Sequence, residues 1–161
     1  MNFRHKKLLL LFLSIATVII DRLAKLYMDK TLEYGSTATV IPNILSATKV
    51  YNTGAAFSFL EGQVHFLTFL SVAAIAGIIY FILFKTKTVS LYSAVSWGLI
   101  LGGTTGNFID RLFLHYVIDF IRLDFVDFPI FNLADMAINI GAIMILAGMF
   151  LDKSKEKGTV E

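Results

Sequence analysis

The sequence predicts an all-α polytopic membrane protein, four transmembrane helices with a small β-rich segment on the external side. Three observations predict it. Of 161 residues, 57% are apolar and the mean hydropathy is +0.73, too high for a water-soluble chain of this length. Four apolar runs, at about 8–27, 66–84, 91–113 and 131–151, each approach the ~20 residues that crossing a hydrocarbon core requires. Lysines and arginines gather at alternate ends of these runs, as topology demands. Residues 1–161 are expected to form a single membrane domain.

The first span opens like a signal peptide, with Arg4, Lys6 and Lys7 before an apolar stretch. It then runs into Asp21, Arg22 and Lys25 without a small-residue cleavage site, so it is expected to be a retained helix and no targeting segment to be removed. The external segment 29–62 holds two β-favouring stretches, 36–41 and 45–51, broken by Pro42 and Asn43, which predicts a small sheet or hood on the membrane surface. Lys85 and Lys87 follow the second span. The second external segment, 114–130, reads as an aromatic-rich loop, with Pro129 as a start signal for the fourth span. Lys153, Lys155 and Lys157 close the chain. Four spans put both termini on one side, and the positive-inside rule makes that side cytoplasmic.

Composition also excludes function classes. A net charge of +2, with its basic residues scattered, argues against a nucleic-acid partner. With no cysteine there is no disulfide, thiol nucleophile, Cys-type metal site or lipidation of the chain itself. Only His115 lies near the polar positions and no HExxH occurs, so neither metal nor cofactor is expected. No Ser-His-Asp set or membrane-depth Ser/Lys pair stands out.

The polar residues converge in depth. Counted from the cytoplasmic ends, Asp21 lies about 20 Å up the first span, and Asn107 and Asp135 about 24 Å up the third and fourth. Helical spacing groups Asp21 with Lys25, Asn107 with Asp110 and Arg111, and Asn132 with Asp135 and Asn139. Asp21 with Lys25, and Asp110 beside Arg111, read first as charge pairs holding helices together. Asn132 and Asn139 suit interhelical hydrogen bonds. Gly102, Gly103 and Gly106 suit either close helix packing or the close approach of an extended peptide. Asp119 and Asp135 differ, because each sits at the outer end of a span without a basic residue at helical spacing. Arg122 is near Asp119 only along a loop. Carboxylates at membrane depth are costly, and two that approach each other share one proton near neutral pH.

Three rivals remain on the residues alone. A proton-coupled transporter needs polar groups through the full membrane depth, whereas the second span has almost none. A non-catalytic assembly protein would use the carboxylates structurally. An aspartyl protease acting on unlipidated helices is the third.

The motifs resemble the prolipoprotein signal peptidases, the type II signal peptidases of bacteria. The resemblance runs in order through Asp21 with Lys25, NTGAAF at 52–57, GNFIDR at 106–111, VIDF at 117–120 and FNLAD at 131–135. It implies a four-helix membrane domain with a small external β-rich cradle. It implies that Asp119 and Asp135 are the catalytic aspartates, and that Asn52, Gly54, Asn107, Arg111 and Asn132 line the substrate site. Asp21 and Lys25, with Asp110, then belong to the polar framework around it. The implied reaction is removal of the signal peptide from a diacylglyceryl-modified prolipoprotein, cut just before the lipidated cysteine, by an aspartyl endopeptidase without metal or cofactor. The implied setting is the bacterial plasma membrane, with membrane lipid around a monomer and the site facing the outer leaflet.

Overall fold

The computed structural model describes residues 2–55, 59–85 and 90–157, the side chains of Phe3, Lys85 and 151–157 excepted. Ala56 and Phe57 of the NTGAAF block, Lys87, and the side chains of Lys85, Lys153, Lys155 and Lys157 lie outside the described residues.

Helix α1 spans Phe3–Thr31, opened by the Asn2 side chain, which accepts the His5 N–H at 2.9 Å. At 1.5 Å per residue it is about 44 Å long, overrunning the expected 8–27 at both ends. Two antiparallel strands follow, β1 (Thr37–Ile41) and β2 (Leu45–Asn52), within a residue of the two expected stretches. Asn43 closes their turn at φ 60°, a left-handed conformation that asparagine tolerates.

Helix α2 (Val64–Tyr80) continues into a π-helical turn, Phe81–Lys85. Helix α3 (Leu91–Phe113) starts on a Ser90 cap, whose Oγ accepts the Ser93 N–H at 2.9 Å, and its bounds match the third expected span. Helix α4 covers Leu133–Lys157. Among the described residues, two stretches, Val64–Phe84 and Leu133–Phe150, are long and apolar enough on their own to cross a membrane. In α1 and α3 the apolar run carries the charges of the polar sites.

One element departs from expectation. Residues 117–123, read as loop, form strand β3 (Val117–Leu123), which pairs antiparallel with β2 to give the order β1-β2-β3. Asp119 therefore stands on a strand opposite Val50, not at the end of a span. Its first four residues are all buried, so the inside-outside alternation that betrays a strand is missing. Phe131 adds backbone bonds to Ile121 on the outer edge, 3.1 and 2.7 Å, which brings the start of α4 beside β3. The sheet is tied to the end of α1 by Lys49, whose Nζ donates to the Asp29 carbonyl at 3.0 Å, and by the Tyr51 hydroxyl, which donates to Asp29 Oδ1 at 3.1 Å.

Helix α3 is central, packing on α1, α2 and α4. Its glycines make this possible. A Cβ on Gly102 would fall 2.7 Å from the Ser14 carbonyl oxygen of α1, one on Gly106 2.7 Å from Asp21 Oδ2, and one on Gly103 against the Ala134 carbonyl of α4. Of the two expected uses, helix packing is the one these glycines serve. The outward faces are apolar, as at Phe12, Phe69 and Ile143, while charged residues such as Asp21, Lys25 and Asp110 are buried inside.

Candidate active site

Strand β3 and the start of α4 bring Asp119 and Asp135 to one place. Asp119 is 1% exposed, and both its oxygens accept amide protons: Oδ2 from Asn52 Nδ2 at 2.9 Å and Oδ1 from Asn132 Nδ2 at 2.6 Å. Asp135 Oδ1 accepts from Asn107 Nδ2 at 2.7 Å, and its Oδ2 from the Asn132 backbone N–H at 3.2 Å. Asn132 thus touches both carboxylates.

Asn132 has a local reason to be there. Its Oδ1 accepts the Asp135 N–H at 2.9 Å while Asp135 returns the bond, a reciprocal cap on the first turn of α4. Capping fixes the rotamer of Asp135 and leaves the Asn132 amide free to reach Asp119 and, at 3.2 Å, Asn107 Oδ1. The interhelical role expected of Asn132 is present; Asn139 is exposed and joins none of these bonds.

Behind the pair lies a buried ionic cluster. Lys25 Nζ donates to Asn107 Oδ1 at 2.9 Å and forms ion pairs with Asp21 Oδ2 and Asp110 Oδ2, each also at 2.9 Å. With Asn107 Oδ1 held by Lys25, its Nδ2 must face Asp135, which settles the orientation of that amide. Asp21 Oδ1 also accepts the Ala134 N–H at 2.9 Å, and Asp110 Oδ2 the Ile118 N–H at 3.3 Å. The two acids therefore orient the segments that carry Asp135 and Asp119.

The expected pairing of Asp110 with Arg111 is corrected. Asp110 binds Lys25 and Arg22, and Arg111 Nη2 instead donates to the Gly54 carbonyl at 3.1 Å. Consecutive helical residues point about 100° apart, so neighbours cannot face each other. Arg122 likewise does not approach Asp119: three apart on a strand, they face opposite sides, and Arg122 lies 3.5 Å from Asp124. Gly54 donates its N–H to Asn52 Oδ1 at 2.8 Å, and a Cβ there would fall 2.9 Å from the Phe59 carbonyl. Arg22, in the cluster but not foreseen, gave no local signal because its partner is 88 residues away.

The pair opens on a cleft of about 1420 Å³. Asn52, Arg111, Asp119 and Asp135 line one end, Phe125, Val126 and Phe128 with Asp124 and Asp127 line a wall, and Met136, Asn139, Ile140 and Ile143 continue it along α4. Among the described residues no group of three or more His, Asp or Glu could hold a metal ion.

Burial, then the neighbouring Asp135 charge, push the Asp119 carboxyl up to about 7 from 3.8, against the pull of hydrogen bonds from Asn52 and Asn132 and of the Lys25 charge. Folded protein thus keeps a proton that unfolded chain has lost. The stabilisation is full below about 4 and is lost as pH rises through about 7. Thermal unfolding midpoints in detergent are expected to fall across that window, and to fall less in Asp119→Asn.

The family model described as signal peptidase (SPase) II matches residues 13–151. The chain belongs to the signal peptidase II family. A lipoprotein signal peptidase of Lactobacillus gasseri is 42% identical over 153 residues, covering 95% of this chain and 99% of that protein. One from Lactiplantibacillus plantarum is 41% identical, covering 91% and 97%. A solved bacterial membrane enzyme, 33% identical, superposes with a TM-score of 0.86 over 91% of this chain and 90% of that one. Membership and the apolar helices make this member of the signal peptidase II family a bacterial membrane protein.

Proposed function

We propose that this protein is an intramembrane aspartyl endopeptidase that removes the signal peptide from diacylglyceryl-modified prolipoproteins, cutting just before the lipidated cysteine. The observation that carries this reading is the joining of Asp119 and Asp135 through Asn132 at one end of a cleft that continues along α4 past Met136, Ile138, Ile140 and Ile143, with Asn139 the one polar side chain among them. A peptide needs the first part and acyl chains need the second. The family membership and the names of the relatives support the same substrate class.

In the proposed topology all four helices cross the bacterial plasma membrane, with both termini cytoplasmic and the site toward the outer leaflet. The monomer is the working unit. A helical signal peptide shields its own peptide bonds, so it must unwind to be cut. Asn52 and Arg111 line the mouth, Gly54 holding Arg111 through its carbonyl, while Asn107 and Asn132, buried and bonded to the two carboxylates, hold the pair in place.

Asp119 carries the shared proton, consistent with its position near pH 7. Asp135 is the anion, favoured in the first turn of α4 by the helix dipole. Asp135 takes a proton from a water, whose oxygen attacks the scissile carbonyl, while Asp119 donates a hydrogen bond to the developing oxyanion. Collapse of the tetrahedral species breaks the C–N bond, and the proton held by Asp135 passes to the leaving amine. The signal peptide keeps the new carboxylate and the lipidated cysteine the new amine. This route needs no covalent intermediate, metal or cofactor.

The test is cleavage of a diacylglyceryl prolipoprotein beside its unmodified form, with and without a chelator. Cleavage of the modified form alone, indifferent to chelation, is expected. Equal cleavage of both forms would point to a protease of unlipidated helices, and no cleavage to a transporter or assembly role.

A further inference from the structure

Arg22 has no place in the mechanism above, yet it is bonded to the machinery. Its side chain is 31% exposed, and its Nη1 donates to Asp110 Oδ1. The other Asp110 oxygen meets Lys25 Nζ at 2.9 Å, Lys25 donates to Asn107 Oδ1 at 2.9 Å, and Asn107 Nδ2 donates to Asp135 Oδ1 at 2.7 Å. A continuous series of polar contacts therefore runs from the side of α1 to one of the two carboxylates.

Helix α1 supplies Asp21, Arg22 and Lys25; α3 supplies Asp110 and Arg111; β3 supplies Asp119; α4 supplies Asp135. At the mouth, Arg122 with Asp124 and Lys49 with Asp29 form pairs of zero net charge. Glu61, Asp127, His65 and His115 are exposed. Arg22, Lys25 and Arg111 thus stand against Asp21, Asp110 and the Asp119–Asp135 pair. The interior is neutral when that pair holds one proton. Without Arg22, neutrality would require two.

We propose that Arg22 is a positioning residue that, through its bond to Asp110, makes the single-proton state of the Asp119–Asp135 pair the neutral one. Unbalanced charge is costly in a low-dielectric interior, so the proton count follows the fixed cations. The role in turnover rests on the aspartyl reading above; the proton count itself is measured without substrate.

The experiment is an infrared titration of the protonated carboxyl band in the full chain in lipid nanodiscs, with Asp119→Asn assigning the band. Arg22→Gln is expected to lose the Asp119 band about 1 pH unit higher than wild type. Arg22→Lys, and the double variant Arg22→Gln with Asp110→Asn, keep the wild-type net charge and are expected to titrate with wild type. The pH profile of cleavage should move with the band. The proposal is overturned if Arg22→Gln titrates as wild type. It is equally overturned if the double variant stays displaced from wild type. A displaced band in a protein that cuts no prolipoprotein would uphold the charge inference and sink the aspartyl one.

Discussion

Asp119→Asn and Asp135→Asn are each expected to lower cleavage of a diacylglyceryl prolipoprotein by about 1,000-fold or more, the scale on which a positioned acid or base works. Neither asparagine can accept a proton from water or pass one on. At Asp119 the change has a second effect. Both oxygens receive amide protons, from Asn52 and Asn132, so an asparagine must turn its own NH₂ toward one of these donors. Where that NH₂ meets Asn132 it loosens the cap and displaces Asp135, so the double variant is expected to be hardly slower than either single one, as for residues that act as a unit. Single-turnover rates on purified, folded variants decide the matter. Either variant retaining a tenth of wild-type turnover would remove its aspartate from the mechanism.

Lys25→Met carries the largest expected cost to the fold. The ammonium is fully buried, and deleting it leaves Asp21 and Asp110 as neighbouring anions with only Arg22 to answer them. Removing one member of a buried ion set costs about 3–5 kcal/mol, because the others remain charged and unpaired. A drop in the unfolding midpoint is expected, with partial recovery in Lys25→Met with Asp21→Asn, which removes one stranded anion. Recovery would be incomplete because an asparagine at 21 accepts the Ala134 N–H less strongly than a carboxylate does. Additive losses in the double variant would show that the two side chains do not act on each other.

The spans and the first hairpin were legible because their signals are local: apolar runs of the right length, and a Pro-Asn break between two β-favouring stretches. The two aspartates were legible as expensive groups with no partner at helical spacing. Strand β3 was not, because Val117 to Phe120 are buried on both sides and its partner strand lies 67 residues upstream at the Asn52–Asp119 contact. Asn132 announced itself as polar but not as a cap shared by two carboxylates, since that depends on where β3 runs. The misassignment of Asp110 to Arg111 has the same root: sequence adjacency says little about direction on a helix, and Lys25 and Arg22 reach Asp110 from another helix.

The bond from the Ala134 N–H to Asp21 Oδ1 joins the first helix of the chain to the first turn of the last. Asp21 of α1 is made more than a hundred residues before its partner in α4. A ribosome that stalls before residue 132 leaves a protein with one aspartate of the pair and no Asn132 to hold it. On the aspartyl reading proposed above, copies that stop there are expected to be inert, and cleavage to require the docking of α4.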